Sequence, residues 1–143
     1  MGIPIRYTDQ PITYAVAAIV AAGQFVDADQ AKSLATGQAF VVPSAAASKL
    51  AIGVALRTAA PAGTTSPTDA AARPPNTTVA RRGCVVPVTF AAASTFGDRL
   101  KTALTGKVEP IVTTTSPEVI VAVNVTDAGH TAATAVGYVQ IEV

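Results

Sequence analysis

The stretch EVIVAVNV, residues Glu118–Val125, has the most regular pattern in the 143-residue sequence. Every odd position is Val, whereas the even positions carry the smaller or more polar Glu, Ala and Asn, together with one Ile. Successive side chains of a β-strand point to opposite faces, so a period of two is typical of a strand with one apolar face. The stretch therefore predicts a strand whose valines lie on one face.

The end of the chain, Val136–Val143, shows the same alternation. Val139, Ile141 and Val143 fall on one face of the predicted strand, and Tyr138 lies on the opposite face with polar residues. A turn signal, Asp127-Ala128-Gly129, separates this stretch from the first one. The last quarter of the sequence thus predicts two strands connected through a turn.

The composition extends this prediction to the whole chain. The sequence holds 19 Val, 19 Thr and eight Ile, against five Leu, four Lys and three Glu. Stiff β-branched side chains suit a pleated sheet and lose rotamer freedom in a helix. We therefore expect a mainly β fold, a compact single-domain barrel or sandwich of which a β-tulip-like form is one variant. At most one or two short helices are expected.

The chain divides into an N-terminal arm, residues 1–11, and a single β domain, residues 12–143. Within that domain, residues 58–77 contain four Pro and no large apolar side chain. Such a stretch has too little apolar surface to build a core. It predicts a long exposed loop rich in Pro, Ala and Thr.

The arm alternates Ile3, Ile5 and Tyr7 with polar or Pro residues, among them Arg6. Two interpretations fit this pattern. An extended terminus can add as a strand to the edge of another protein's sheet, through main-chain hydrogen bonds. Alternatively, the arm is the first strand of the domain's own sheet.

Three local signals lie inside the predicted domain. Gly53 interrupts the strand-like stretch Lys49–Arg57, which indicates a bulge or a close backbone approach. Residues 78–90 predict one strand with a break at Pro87. Asp27 is a candidate cap for a short helix over residues 28–35, with a loop as the alternative.

The charge content excludes some partners and favours others. Only 13% of residues are charged and the net charge is +1, so the clustered Lys and Arg of nucleic-acid-binding proteins are missing. The longest uncharged stretch, residues 10–26, contains Pro, Thr, Tyr and Gln and does not fit a bilayer span. A surface so poor in charge is typical of a protein that buries surface against partner subunits.

The residues that could carry chemistry are few. One Cys, Cys84, and one His, His130, rule out an internal disulfide and a metal site built on several cysteines. Cys84 precedes two valines and is expected to be a small core hydrophobe. Asp127 and His130 lie in one turn, where hydrogen bonding is their ordinary role. We expect no enzyme activity and no cofactor; the alternative is a thiol enzyme or a small ligand-binding barrel using Cys84 and His130.

The order of elements resembles the small capsid decoration, or head cement, proteins of tailed phages. The resemblance rests on five segments: ITYAVAAIVAAGQFV (12–26), KLAIGVALRTAAPAGT (49–64), VARRGCVVPVTFAAASTFGDRL (79–100), TGKVEP (105–110) and AVGYVQIEV (135–143). The Pro-rich stretch 61–75 and the long hairpin near the C-terminus depart from the simplest form of that pattern.

This resemblance implies a structural role in a virion. It implies a subunit made in the host cytoplasm that binds the major capsid protein on the outside of the head, stabilises the shell and often forms a homotrimer. It implies no catalytic residues. The arm residues Ile3, Ile5, Arg6 and Tyr7 are then candidates for pairing with a capsid strand. The alternative in the same class is a tail, fibre or surface-layer module.

Overall fold

The computed structural model describes residues 11–63, 74–112 and 119–143, and it confirms the mainly β fold with a closed barrel. One α-helix, α1 (Gln30–Thr36), and a 3₁₀ turn (Leu104–Gly106) occur in the described residues. The strands there are β1 (Ile12–Val16), β2 (Phe25–Ala28), β3 (Phe40–Pro43), β4 (Ala51–Ala55), β5 (Asn76–Ala80), β6 (Val85–Thr89), β7 (Ser94–Thr95), β8 (Arg99–Thr102), β9 (Val108–Pro110), β10 (Ala122–Asn124), β11 (His130–Thr131) and β12 (Val136–Ile141).

The strands form a barrel and a second sheet. The barrel closes in the order β1-β3-β2-β4-β5, with β1 parallel to β3 and antiparallel to β5. The second sheet is antiparallel in the order β6-β12-β10-β8-β9. A parallel bridge from Phe90, just after β6, to Val108 of β9 connects the two edges of this sheet. Strands β7 and β11 pair in a small separate ribbon.

Two apolar cores hold this arrangement together. The first fills the barrel and consists of Val16, Val20, Val26, Val41, Ala55, Ala59 and Val79. The second, the shared core, lies between the barrel and the second sheet: Phe25, Val54 and Ala80 from the barrel join nine residues of the second half of the chain. Adjacent residues of β2, β4 and β5 thus enter different cores, so these three strands are buried on both faces.

Two strand glycines allow close packing. A Cβ atom on Gly53 of β4 would lie 2.1 Å from the carbonyl oxygen of Ala80, and the residue has φ of 155°. The close backbone approach expected from the sequence is therefore present, and a bulge lies opposite, between Val26 and Asp27. Gly137 of β12 is equally crowded, since its Cβ would lie 2.3 Å from the Thr131 Oγ1 atom.

The short helix exists, but the predicted cap is wrong. Asp29 caps α1, with its carboxylate accepting a hydrogen bond from the Lys32 amide at 3.0 Å, and Gly37 ends the helix in the left-handed conformation. Asp27 is instead buried at the end of β2, where its carboxylate accepts hydrogen bonds from the Ser44 hydroxyl and the Ala45 amide. The hydrogen bonds of the Asp27 carboxylate therefore come from residues distant in sequence and not from the helix.

The prediction of one strand over residues 78–90 is also wrong. The chain turns at residues 81–84, between β5 and β6, whereas Pro87 lies inside β6. Pro is tolerated there because β6 is an edge strand, and an edge position needs no amide hydrogen.

The loop predicted at residues 58–77 is shorter than expected at both ends. Ala59 is fully buried and bridges to Val20, Ala60 is 4% exposed, and β5 already begins at Asn76. Ala59 belongs to the barrel core, although so small a side chain has too little apolar area to be recognised as core from the sequence. Residues 64–73 lie outside the described residues.

The two stretches that predicted the fold have different outcomes. In β12 the alternation is confirmed: Val139 and Ile141 are buried, and Tyr138 is exposed. In the stretch 118–125 the strand covers only Ala122–Asn124, and its inward side chains are Ala122 and Asn124 while Val123 is half-buried; Val121, just before the strand, is fully buried in the shared core. The Asn124 amide donates to the Ser94 hydroxyl at 2.9 Å, and this bond selects the polar side chain for the inner face.

The arm, with Ile3, Ile5, Arg6 and Tyr7, lies outside the described residues. Both interpretations of its pattern therefore stay predictions. Within the described ranges, no helix has the length and apolarity to cross a membrane.

Candidate interaction surface

The outer side of strands β6 and β12 presents apolar side chains to solvent. Val85 is 57% exposed, Val136 63% and Tyr138 52%, and Pro87 is exposed as well. Cross-strand pairing sets Pro87 directly opposite Tyr138 and Thr89 opposite Val136. We call these four residues, Val85, Pro87, Val136 and Tyr138, the apolar face.

The alternation of the two strands creates the apolar face. In both strands, every second side chain points into the shared core, as Val86 and Val139 do. The intervening side chains must then point outward. Because Thr89 and Gln140 complete the outer side of the two strands, none of its six side chains carries a charge at neutral pH.

A groove of about 210 Å³ borders the apolar face. It separates β6 from the barrel, and Leu56, which is 44% exposed, forms part of its barrel wall. Val136 and Pro87 line the opposite wall, and Ala22 and Gly23 contribute from the β1–β2 turn. The groove is therefore an apolar depression that continues the apolar face.

The outer edge of β6 is poorly suited to pair with another strand. Cys84 accepts a hydrogen bond from the Ile141 amide, and the Phe90 amide donates to Ala135 just before β12, so the main chain of the even-numbered residues points toward β12. The main chain of Val85, Pro87 and Thr89 therefore points to the other edge, and Pro87 has no amide hydrogen to donate there. Gly23 also approaches this edge: its Cβ would lie 3.2 Å from the Pro87 carbonyl oxygen.

The residues considered for catalysis are not brought together. Cys84 is half-buried against the shared core, and its carbonyl accepts from the Ile141 amide at one end of β12. His130 is exposed, and its neighbour Thr131 lies near Gly137. The β12 residues next to these two positions, Gly137 and Ile141, are four residue steps apart, which is about 13 Å along a strand. In the described ranges, no group of three or more His, Cys, Asp or Glu residues is arranged to hold a metal ion.

The alternation of β12 places Tyr138 on the face opposite Val139 and Ile141, but its partners in β6 were not predicted. The signal was present, because Val86 and Val88 alternate with Val85, Pro87 and Thr89. It was missed when Pro87 was interpreted as a break. Other exposed apolar side chains, such as Leu34 at 88% and Leu104 at 72%, lie on the helix and in a turn, not on a sheet.

Comparison with known proteins shows a similarity in fold but none in sequence family. No protein-family model matches the sequence, and no curated protein does so. Among solved structures, the fold is similar to that of the head fiber gp8.5 N base of bacteriophage phi29, with a TM-score of 0.62 and 14% sequence identity. The match covers 93% of this chain and 93% of that one. The barrel and the second sheet together therefore correspond to a fold found in a phage head protein.

Proposed function

We propose that this chain is a structural subunit of a tailed-phage virion, which binds the outside of the head as a decoration protein and stabilises the shell. The observation that carries the proposal is the fold match, over almost the whole of both chains, to a protein of a phage head fiber. The sequence resemblance to head decoration proteins points to the same location on a virion.

The chemistry of the surface supports a binding role. The chain has few charges, and its most regular exposed sheet surface, the apolar face, is uncharged. A subunit that binds only the assembled shell stabilises the shell by mass action. Several weak contacts made by one oligomer on a repeating lattice add up to high avidity.

We also propose that the chain has no catalytic activity. The separation of Cys84 and His130 along β12 supports this part of the proposal. A thiol reagent added to the folded protein tests it. We expect Cys84 to label slowly, at a rate limited by its half-buried position. Rapid labelling of the folded protein, at the rate of the unfolded one, would favour a reactive thiol.

The base of a head fibre is the second candidate function. The specific match to a head fiber base favours it. A fibre base also binds the head, but it need not stabilise the shell. The two functions therefore differ in one measurable property, the temperature at which heads lose integrity with and without the bound chain.

Co-sedimentation with heads tests the proposal. The purified chain is mixed with mature heads and with unexpanded shells of the phage that encodes it, both lacking the chain. We expect saturable binding to mature heads, weaker binding to unexpanded shells and a higher melting temperature of the bound heads. Binding without that rise would indicate a fibre base. A folded chain that sediments with neither particle would contradict the proposal.

A deletion of residues 2–9 tests the role predicted for the arm. We expect the shortened chain to keep its unfolding temperature and to bind heads more weakly, because main-chain pairing with a capsid strand is lost. If the deletion instead lowers the unfolding temperature of the isolated protein, the arm belongs to the domain's own sheet.

A further inference from the structure

We infer that the apolar face is the contact between copies of this chain, arranged around a symmetry axis. The inference rests on the proposed function, which expects an oligomeric head subunit. It adds the surface through which the copies meet, and the partner of that surface is a second copy.

The apolar face is held in a fixed shape before any partner binds. Strand β12 pairs with β6 on one side and with β10 on the other, and the inward side chains of β6 and β12 are part of the shared core. Val136 and Tyr138 therefore project from a rigid sheet. A preformed surface loses little conformational entropy on binding, which favours association.

The outer side of β6 and β12 is uncharged, which fits contact with an identical copy. The charged side chains Arg99 and Lys101, on the outer side of the same sheet, lie on β8, two strands away from β12. Near a rotation axis, each side chain lies close to the same side chain of its neighbours. A charged group at that position would meet like charges, which repel. Val, Pro, Tyr, Thr and Gln side chains can all lie beside their own copies without this cost.

The geometry favours contact through side chains. The edge of β6 is unsuited to strand addition, because Pro87 lacks an amide hydrogen and Gly23 crowds the same edge. The groove, at about 210 Å³, is smaller than the roughly 300–1,000 Å³ of typical ligand pockets. It therefore fits an inserted side chain better than a small molecule.

The half-exposed ring of Tyr138 and the groove lie next to each other on this side of the molecule. Tyr138 is paired with Pro87, which lines the groove. In a closed ring, one patch of each subunit contacts a different patch of the next subunit. Tyr is also enriched among the residues that dominate binding energy at protein interfaces. We assign Tyr138 as the residue that enters the groove of the neighbouring copy.

The test is the solution mass of the full chain and two variants, measured by light scattering over a range of concentrations. The variant Tyr138→Lys introduces a charge into the apolar face. The matched control is Leu34→Lys, on the exposed helix α1, where the side chain is 88% exposed. Circular dichroism and thermal unfolding establish that both variants are folded.

We expect the wild-type chain and the Leu34 variant to form oligomers, with a trimer at three times the monomer mass of 14.3 kDa. The Tyr138 variant should be a folded monomer, with a dissociation constant raised at least about 30-fold, as for an interface hot spot. If Tyr138→Lys is misfolded, Val136→Lys provides the same test.

Two results would overturn the inference: a wild-type chain that stays monomeric at all concentrations, or folded apolar-face variants that associate as the wild type does. Neither result decides the proposed function, because binding of the same proteins to mature heads is measured separately. If the wild-type chain forms trimers but does not bind heads, the proposed function fails and the self-contact stands.

Discussion

The barrel and the second sheet bury their strands in different ways. Strands β2, β4 and β5 of the barrel contribute to both cores, so neither of their faces meets solvent over most of their length. Strands β6 and β12 contribute to one core and expose the opposite face. The difference separates roles: the barrel strands hold the two cores together, and the second sheet keeps a surface available for contact.

The sequences of the strands reflect this difference. The inner barrel strand β2 begins Phe25-Val26, two adjacent apolar residues that enter different cores. Strand β12 alternates apolar and exposed side chains. Continuous apolar sequence is typical of strands covered on both faces, and alternation is typical of strands covered on one. Mutations that act on one strand type and not on the other test this distinction.

The largest loss of stability is expected from Phe25→Ala. Phe25 is fully buried and brings the barrel into the shared core. Truncation leaves a cavity, so the free energy of unfolding should fall by about 3–5 kcal/mol in urea titrations. The control Phe96→Ala removes a ring that is 63% exposed and should cost less than about 1 kcal/mol. Equal losses for the two variants would contradict the assignment of the shared core.

The next largest loss is expected from Gly53→Ala in the barrel. The added Cβ would meet the Ala80 carbonyl oxygen at 2.1 Å, so the backbones of β4 and β5 would have to separate. We expect a loss of about 3 kcal/mol, at the upper end of overpacking costs, measured by thermal and urea unfolding. A loss below about 1 kcal/mol would show that the strands are not in close contact.

A smaller loss of stability is expected from Gly137→Ala in the second sheet, and a second substitution should restore part of it. Here the nearest atoms to the added Cβ are the side-chain hydroxyls of Thr131 and Thr126, at 2.3 and 2.7 Å. The cost should be about 1–3 kcal/mol. Because Thr131→Ala removes the closest atom, the double variant should recover part of the loss relative to the two single variants. Strictly additive losses would contradict the contact between Gly137 and Thr131.

The smallest effect on stability is expected from Tyr138→Lys. At concentrations where the wild-type chain is monomeric, its free energy of unfolding should change by no more than about 0.5 kcal/mol, since the side chain is half exposed and lies on the outer face. Urea titration at low concentration measures this value. A loss of several kcal/mol would place Tyr138 in the fold of the monomer and not in a contact surface.

Much of the fold is predictable from local sequence, because alternation, turn residues and Gly53 act over a few positions. The composition and the alternation of β12 indicate the β class, and Gly53 indicates the close approach of β4 and β5. The wrong predictions concern side chains whose position depends on hydrogen-bond partners that are distant in the sequence. Ser44 and Ala45 satisfy Asp27, and Ser94 brings Asn124 inward against the valine pattern.

The apolar face was predictable only in part, for the same reason. Tyr138 is identifiable as an outward residue from the alternation of β12 alone. Its neighbours Val85 and Pro87 are 53 and 51 positions away in the sequence, and the pairing of β6 with β12 brings them together. A pattern within one strand does not specify which strand lies beside it, so the surface emerges only from the sheet order.

Electron cryo-microscopy of mature heads mixed with the purified chain tests the central claim most directly. The account predicts added density on the outer surface of the head, in clusters of copies whose apolar faces meet at the centre of each cluster. Heads without added density would contradict the proposed function. Bound copies that stand apart, with Tyr138 facing solvent, would contradict the role of the apolar face.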